Sequence, residues 1–247
     1  MNARAAIAVI LALLVVTFAA AATDTTQVAT REFVKTSRTW AGYVVRSGPG
    51  FTAVRARWVQ PRVVCNRPGS SAAFWVGLGG ANVDSEGLEQ IGTSADCSGR
   101  ADLSYSAWYE LIPSPPVDIR LEIHAGDAIE AGVQMIDATA MLTLRDITTG
   151  ASFSTRAAVR FPDRTSAEWI AEAPSVCLPP SCRPIPLADF RRVSFTAASA
   201  TAEGHDGAIA DASWTTERLK MSSFQGRVVR ATPLGNDGSS FSLLQRR

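Results

Sequence analysis

The chain has 247 residues, of which 46% are hydrophobic, 8% aromatic and 19% charged. Its 24 basic residues nearly balance 23 acidic residues, giving a formal net charge of +1, so there is no basic field of the kind that drives nucleic-acid binding. We therefore expect no nucleic-acid partner, and the length suits one all-β domain.

The N-terminus has the layout of a secretory signal peptide. Arg4 supplies the positive charge, residues 5–18 are an apolar run, and residues 20–22 are alanines that suit cleavage. A transmembrane anchor is the alternative, but the run is short for a bilayer core of about 30 Å and no basic flank follows it. The sequence predicts a signal peptide over residues 1–22 and a secreted, extracellular protein. No second long apolar segment follows, so we expect no membrane contact after signal removal.

Residues 23–36 are polar without a clear period and predict a flexible leader ahead of one domain over residues 37–247. In that domain, short β-rich runs recur between turn residues, which is typical of a β-sandwich. No window outside the signal has convincing helical periodicity. The predicted strands are 42–46, 52–59, 73–78, 88–93, 103–111, 119–123, 129–136, 140–146, 152–159, 168–171, 191–196, 208–214, 227–232 and 240–244.

The four cysteines of an exported chain indicate two disulfides, for which three pairings are possible. Cys177 and Cys182 are close in sequence and can close a local loop, which leaves Cys65 with Cys97. Metal binding is the competing interpretation, but no Cys-x-x-Cys spacing or histidine cluster accompanies the cysteines. We therefore expect two disulfides and no metal.

Four segments carry most of the functional information. They are Phe74-Trp75-Val76-Gly77, Leu88-Glu89-Gln90-Ile91-Gly92, Tyr105-Ser106-Ala107-Trp108-Tyr109-Glu110 and Ser166-Ala167-Glu168-Trp169-Ile170-Ala171-Glu172. Together they resemble the G1 glutamic peptidases (eqolisins), which are secreted acid endopeptidases that use no metal, serine or cysteine. Weaker matches at 144–150 and 193–196 extend the resemblance from about Trp40 to near the C-terminus.

The resemblance implies an all-β sandwich of two antiparallel sheets bent into a concave, concanavalin-like cleft. It places the catalytic pair at Gln90 and Glu172, and it lines the cleft with Trp75, Trp108 and Glu110. We expect a monomer that acts on protein or peptide substrates without a cofactor.

Strand geometry gives an independent check, because alternate residues of a strand share a face. The sets predicted to share a face are Leu88, Gln90 and Gly92; Ser106, Trp108 and Glu110; and Glu168, Ile170 and Glu172. A set of polar and aromatic side chains at these positions fits a substrate cleft.

The proposed pair can perform peptide hydrolysis. A carboxylate at Glu172 can take a proton from water and later return it to the leaving nitrogen. A neutral amide at Gln90 can donate N–H groups to the carbonyl oxygen as negative charge builds there. Glutamine suits acidic conditions because it does not titrate.

Some cleft positions depart from the family pattern. The family commonly has aspartates where this chain has Gly79 and Ser106, and it prefers aromatic residues where Leu111 and Ile112 follow Glu110. These differences predict a changed substrate preference or pH optimum. They leave both residues of the proposed pair in place.

Other catalytic machinery is missing from the sequence, which has two histidines and no Gly-x-Ser-x-Gly, His-Glu-x-x-His or P-loop motif. Two alternatives remain: a noncatalytic carbohydrate- or peptide-binding β-sandwich, and a glycosidase. A glycosidase needs two carboxylates about 5–5.5 or 6.5–9.5 Å apart. Glu168 and Glu172 are a poor pair, because four residues of strand separate them by roughly 13 Å. Glu110 with Glu172 stays open.

Overall fold

The computed structural model describes residues 33–82, 84–178 and 181–246, and none of these residues is helical. The predicted signal peptide and residues 23–32 of the predicted leader lie outside them. Within the described ranges, no helix is long and apolar enough to span a membrane. The strands are β1 (Phe33–Ser37), β2 (Trp40–Arg46), β3 (Phe51–Val59), β4 (Ser70–Gly79), β5 (Leu88–Cys97), β6 (Leu103–Ile112), β7 (Val117–Ile119), β8 (Ala128–Ile136), β9 (Thr139–Asp146), β10 (Ser152–Ala158), β11 (Ser166–Glu172), β12 (Ser175–Leu178), β13 (Ser181–Pro184), β14 (Arg192–Ala202), β15 (His205–Ala208), β16 (Thr215–Ser222), β17 (Val228–Ala231) and β18 (Phe241–Arg246).

Sixteen strands form one strongly bent sheet, which confirms the predicted all-β sandwich. The strand order is β10-β9-β8-β3-β14-β18-β17-β16-β2-β11-β4-β5-β6-β7, with β15 on β14 and β1 on β16. The bend lets β3 and β8 pack across β4 and β5. Strands β12 and β13 form a separate hairpin.

The side chains of the central strands divide between two apolar clusters. Alternate residues such as Tyr43, Phe74 and Trp169 belong to the large core between the two halves of the sheet. The residues between them form a smaller cluster on the opposite face, which we call the cleft face: Val44, Ala73, Trp75, Leu88, Trp108, Ile170 and Leu219. Because both of its faces are covered, β4 is buried along its whole length.

Most predicted strands are present, but several parts of the chain differ. Residues 33–36, expected in the flexible leader, lie in β1, which pairs in parallel with β16. The hairpin β12–β13 and strand β16 were not predicted. Residues 209–214, predicted as strand, form turns, in which Trp214 Nε1 donates to the Ile209 carbonyl at 3.1 Å. The strand predicted over 119–123 lies instead at Val117–Ile119.

Both predicted disulfides are confirmed, and they use all four cysteines. Cys65–Cys97 links the loop before β4 to the end of β5, and both cysteines are buried in the core. Cys177–Cys182 joins directly opposed residues of the β12–β13 hairpin.

Candidate active site

Four neighbouring strands bring the predicted site residues onto the cleft face. In the order β11-β4-β5-β6, Trp75 lies opposite Ile170 on one side and Gly92 on the other, and Gln90 lies opposite Glu110. Each predicted set of alternating residues therefore shares a face, as the sequence indicated. Gln90 and Glu172 lie on strands separated only by β4.

Gln90 is held by Glu110 on the neighbouring strand. Its Nε2 donates to Glu110 Oε2 at 2.6 Å, and only 4% of the residue is exposed. Gly77 lies opposite Gln90 on the other side, where an added Cβ would come within 3.2 Å of Gln90 Cβ. Since a carboxylate only accepts, this contact directs the nitrogen end of the amide toward Glu110. The amide nitrogen has a second N–H, which this contact does not use.

Glu172 is held by tryptophan. Trp75 Nε1 donates to Glu172 Oε2 at 2.8 Å, and the ring of Trp40, which lies opposite Glu172, packs edge-on against Trp75 at 4.9 Å. Trp75 is completely buried. The substrate contact predicted for Trp75 therefore has no exposed surface in the described structure, and its observed role is to support Glu172. Trp40 was not among the predicted site residues.

Burial changes the acidity of both cleft carboxyls. It raises the pKa of Glu172 to about 7, and the charge of Glu110 adds to this increase, whereas the indoles of Trp75 and Trp40 oppose it. Burial also raises the pKa of Glu110, and the hydrogen bond from Gln90 opposes that shift. The two contacts, Gln90–Glu110 and Trp75–Glu172, lie on the same face of the sheet, because Trp75 lies opposite Gly92, which shares a face of β5 with Gln90.

Trp108 has an unused donor at the edge of this face. It is 8% exposed, and its buried Nε1 has no hydrogen-bond partner among the described residues. Directly opposite on β5 lies Gly92, which has no side chain. Trp108 therefore lies on the same face as Gln90 and reaches the surface with only a small part of its side chain.

The structure explains why this chain has Gly79 where the family commonly has an aspartate. Gly79 has a φ of +81°, and an added Cβ would lie 2.6 Å from Asp163 Cβ, so no side chain fits there. The Asp163 carboxylate instead accepts hydrogen bonds from Gly80 N at 3.1 Å and from the Ser85 hydroxyl. Ser106, the other departure, is half-buried on the cleft face opposite Ser94.

Two buried acids were not expected. Glu168 and Glu89 are both fully buried, and their carboxyl oxygens have no hydrogen-bond partners among the described residues. Burial raises the pKa of Glu168 well above its ordinary value. Because Glu168 has no access to solvent, it cannot serve with Glu172 as a glycosidase pair. Strand alternation predicted the correct face for Glu168, but no pattern in the sequence predicted that its side chain is fully buried.

Comparison with known proteins gives the family of this chain. The profile of the Peptidase A4 family matches residues 38–238. Aspergillopepsin-2 of Aspergillus niger is 30% identical over 193 residues, which are 68% of this chain and 66% of that protein.

Solved structures of peptidases have the same fold. Scytalido-glutamic peptidase with a transition state analog inhibitor superposes with a TM-score of 0.73 at 24% identity, over 85% of this chain and 99% of that chain. Aspergilloglutamic peptidase from Aspergillus niger superposes with a TM-score of 0.60 at 26% identity, over 72% of this chain and 99% of that chain. The resemblance to the glutamic peptidases is thus confirmed, and this chain belongs to the Peptidase A4 family.

Proposed function

We propose that this protein is an exported endopeptidase that hydrolyses peptide bonds with Gln90 and Glu172. The observation that carries the proposal is that a neutral amide and a carboxylate lie on one cleft face, and that each is positioned by a hydrogen bond to a different residue. Glu110 holds Gln90 at 2.6 Å, and Trp75 holds Glu172 at 2.8 Å. Names of the relatives support the reaction class, since all of those compared are peptidases.

Gln90 acts on the substrate carbonyl in this proposal. One N–H of its amide is bound to Glu110, and the second N–H donates to the carbonyl oxygen. As water attacks, negative charge develops on that oxygen, and a positioned donor then stabilises the transition state more than the ground state. When Glu110 is ionised, it prevents the amide from turning its oxygen toward Glu110, because that would bring two acceptors together.

Glu172 moves the proton. As a carboxylate it takes a proton from the attacking water, and as a carboxylic acid it returns that proton to the leaving nitrogen. A base is most effective when its pKa is near the working pH, and burial raises the pKa of Glu172 to about 7. The ionised form therefore increases as pH rises toward 7. We propose a weakly acidic working range rather than a strongly acidic one.

Export is part of the proposal. Two disulfides form and persist in oxidising compartments. The signal-like segment over residues 1–22 supports the same location.

A digest of a denatured protein over a range of pH, with the products sequenced by mass spectrometry, tests the proposal. We expect cleavage within the chain, and kcat/KM should rise with pH through an apparent pKa above the 4.5 of an ordinary glutamate. Glu172→Gln should abolish turnover, because an amide cannot accept the water proton. Chelators and reagents directed at serine or cysteine should have no effect.

The matched control is Glu122→Gln, which makes the same change at a side chain that is 86% exposed and should leave the rate unchanged. Inhibition by a chelator, or a near-normal rate in Glu172→Gln, contradicts the assignment. Release of sugar from oligosaccharides without any cleavage of protein would instead support a glycosidase that uses Glu110 and Glu172.

A further inference from the structure

A cavity of about 200 Å³ lies on the cleft face between β1, β2 and β16, beside the proposed base. Trp40 forms one wall of this cavity, and it is also the residue directly opposite Glu172. The cavity and the catalytic carboxylate are therefore separated by a single side chain. A substrate bound over Glu172 and extended toward β16 would place a side chain in the cavity.

The deep part of the cavity is apolar. Val44 and Leu219 line it together with Trp40. Gly42 lies between Leu219 and Ile170 in the sheet register, and a Cβ at this glycine would come 1.9 Å from the Trp169 carbonyl oxygen. The close approach of β11 therefore requires a residue without a side chain here. The volume is suited to one side chain.

The mouth of the cavity is charged. Arg46 is fully engaged: it contacts Glu217 at 3.4 Å, Asn82 Oδ1 at 2.6 Å and the Ala81 carbonyl at 3.1 Å. Lys35 of β1 is exposed and also lines the cavity, and it has no ion-pair partner among the described residues. The mouth thus combines one neutralised arginine with one uncompensated ammonium group.

We propose that this cavity is a specificity subsite of the cleft, and that it accepts a substrate side chain with an apolar stem and an anionic end, as in glutamate. The stem would lie against Val44 and Leu219, and the carboxylate would reach Lys35. The inference rests on the proposed peptidase function for its substrate class. Exposed ion pairs are weak, so the expected preference for glutamate over glutamine is about 2- to 5-fold.

Peptides that differ at a single position test this subsite. A series with Glu, Gln, Leu, Lys or Ala at each position around the scissile bond is assayed at a pH where peptide glutamate is ionised. Cleavage is measured with the unaltered protein. Binding of the labelled peptides is measured by fluorescence anisotropy in the Glu172→Gln background, so that preference is recorded whether or not turnover occurs. One position should prefer Glu over Gln and disfavour Lys.

The decisive variant is Lys35→Glu, which should reverse the preference at that position and change the Glu-to-Lys ratio by about 10-fold, since attraction becomes repulsion. Lys220→Glu is the matched control. It makes the same charge change on β16 next to Leu219, on the opposite face of the strand, and should leave the ratio unchanged. Ala81→Phe narrows the mouth, and it should reduce binding of Glu, Gln and Leu peptides relative to Ala peptides.

The outcomes separate the two proposals. Cleavage with a Glu-to-Lys ratio that Lys35→Glu does not alter overturns the subsite and leaves the peptidase function standing. Binding with the expected reversal but without cleavage by the unaltered protein supports the subsite and overturns the peptidase function. A protein that neither binds nor cleaves any of the peptides contradicts both.

Discussion

The contact between Gln90 and Glu110 gives a neutral side chain a fixed direction. An isolated amide can rotate by half a turn and exchange its donor for its acceptor. Glu110 accepts from Gln90 Nε2 at 2.6 Å, and this favours one of the two orientations. The buried Gln90 Oε1 has no hydrogen-bond partner among the described residues. The observed orientation therefore satisfies the amide donor and leaves the amide acceptor without a hydrogen bond.

Substitutions at Gln90 test the proposed oxyanion donor. Gln90→Ala should lower kcat by about 10²–10³ with a smaller effect on KM, because the interaction strengthens in the transition state. Gln90→Glu should be nearly inactive near neutral pH, since an ionised carboxyl has no donor and lies against Glu110. Two adjacent carboxyls titrate as a coupled pair with one raised pKa. Protonation of this pair restores an O–H donor, so the rate of Gln90→Glu relative to that of the parent at the same pH should rise as pH falls.

Steady-state kinetics over a range of pH measure both effects, with circular dichroism to confirm folding. Gln134→Glu makes the same substitution at an exposed residue of β8 and should behave like the parent. A parental rate for Gln90→Glu near neutral pH would show that Gln90 is not the donor.

At the scale of the strands, alternation was sufficient where one element has two distinct faces. It predicted the positions of Gln90, Trp108 and Glu172, because β5, β6 and β11 lie inside the sheet and each separates core residues from cleft residues. It missed β16, whose two buried residues, Leu219 and Met221, are surrounded by charged and polar neighbours. The pairing of that strand with β1 and β2 depends on distant residues.

The candidate site was also predictable only in part. Pattern and resemblance identified the residues that face the cleft, but they could not show which of them reach its surface. Trp75 is buried beneath Glu172 and Glu168 is fully buried, whereas alternation treats both as equivalent to Trp108. Burial on the cleft face depends on how strongly the sheet bends, and a local pattern does not contain that information.

The two disulfides should contribute unequally to stability. Cys65–Cys97 closes a sequence separation of 32 residues, and Cys177–Cys182 closes one of 5. A longer closed loop removes more conformational entropy from the unfolded chain. Replacing Cys65 and Cys97 by serine should therefore lower the free energy of unfolding by about 2–4 kcal/mol, and replacing Cys177 and Cys182 should lower it less.

Denaturant unfolding of the two double variants measures this difference. Each removes one bridge and adds two hydroxyls, so each serves as the control for the other. A larger loss from the Cys177/Cys182 variant would show that the β12–β13 hairpin contributes more to the folded state than loop length predicts.

Across the whole molecule, folding places several carboxyls where they bind protons more tightly. Burial is the main cause of raised pKa values at Glu89, Asp96, Glu110, Glu168 and Glu172. An unfolded chain has already lost these protons at a pH where the folded chain retains them. Stability therefore decreases as pH rises through this interval. We therefore expect the folded state to be more stable in mildly acidic than in alkaline solution.

Glu89 allows this property to be tested away from the cleft, because it points into the core. Burial, with the charge of Asp163, raises its pKa from 4.5 to about 8. This one group should cost up to about 5 kcal/mol of stability between pH 4.5 and pH 8. Glu89→Gln removes the titration, so its free energy of unfolding should decrease less over that interval than that of the parent. Glu86→Gln, the same change at an exposed residue before β5, should follow the parent. Denaturant unfolding at several pH values measures all three proteins, and equal slopes for Glu89→Gln and the parent would show that Glu89 does not retain its proton on folding.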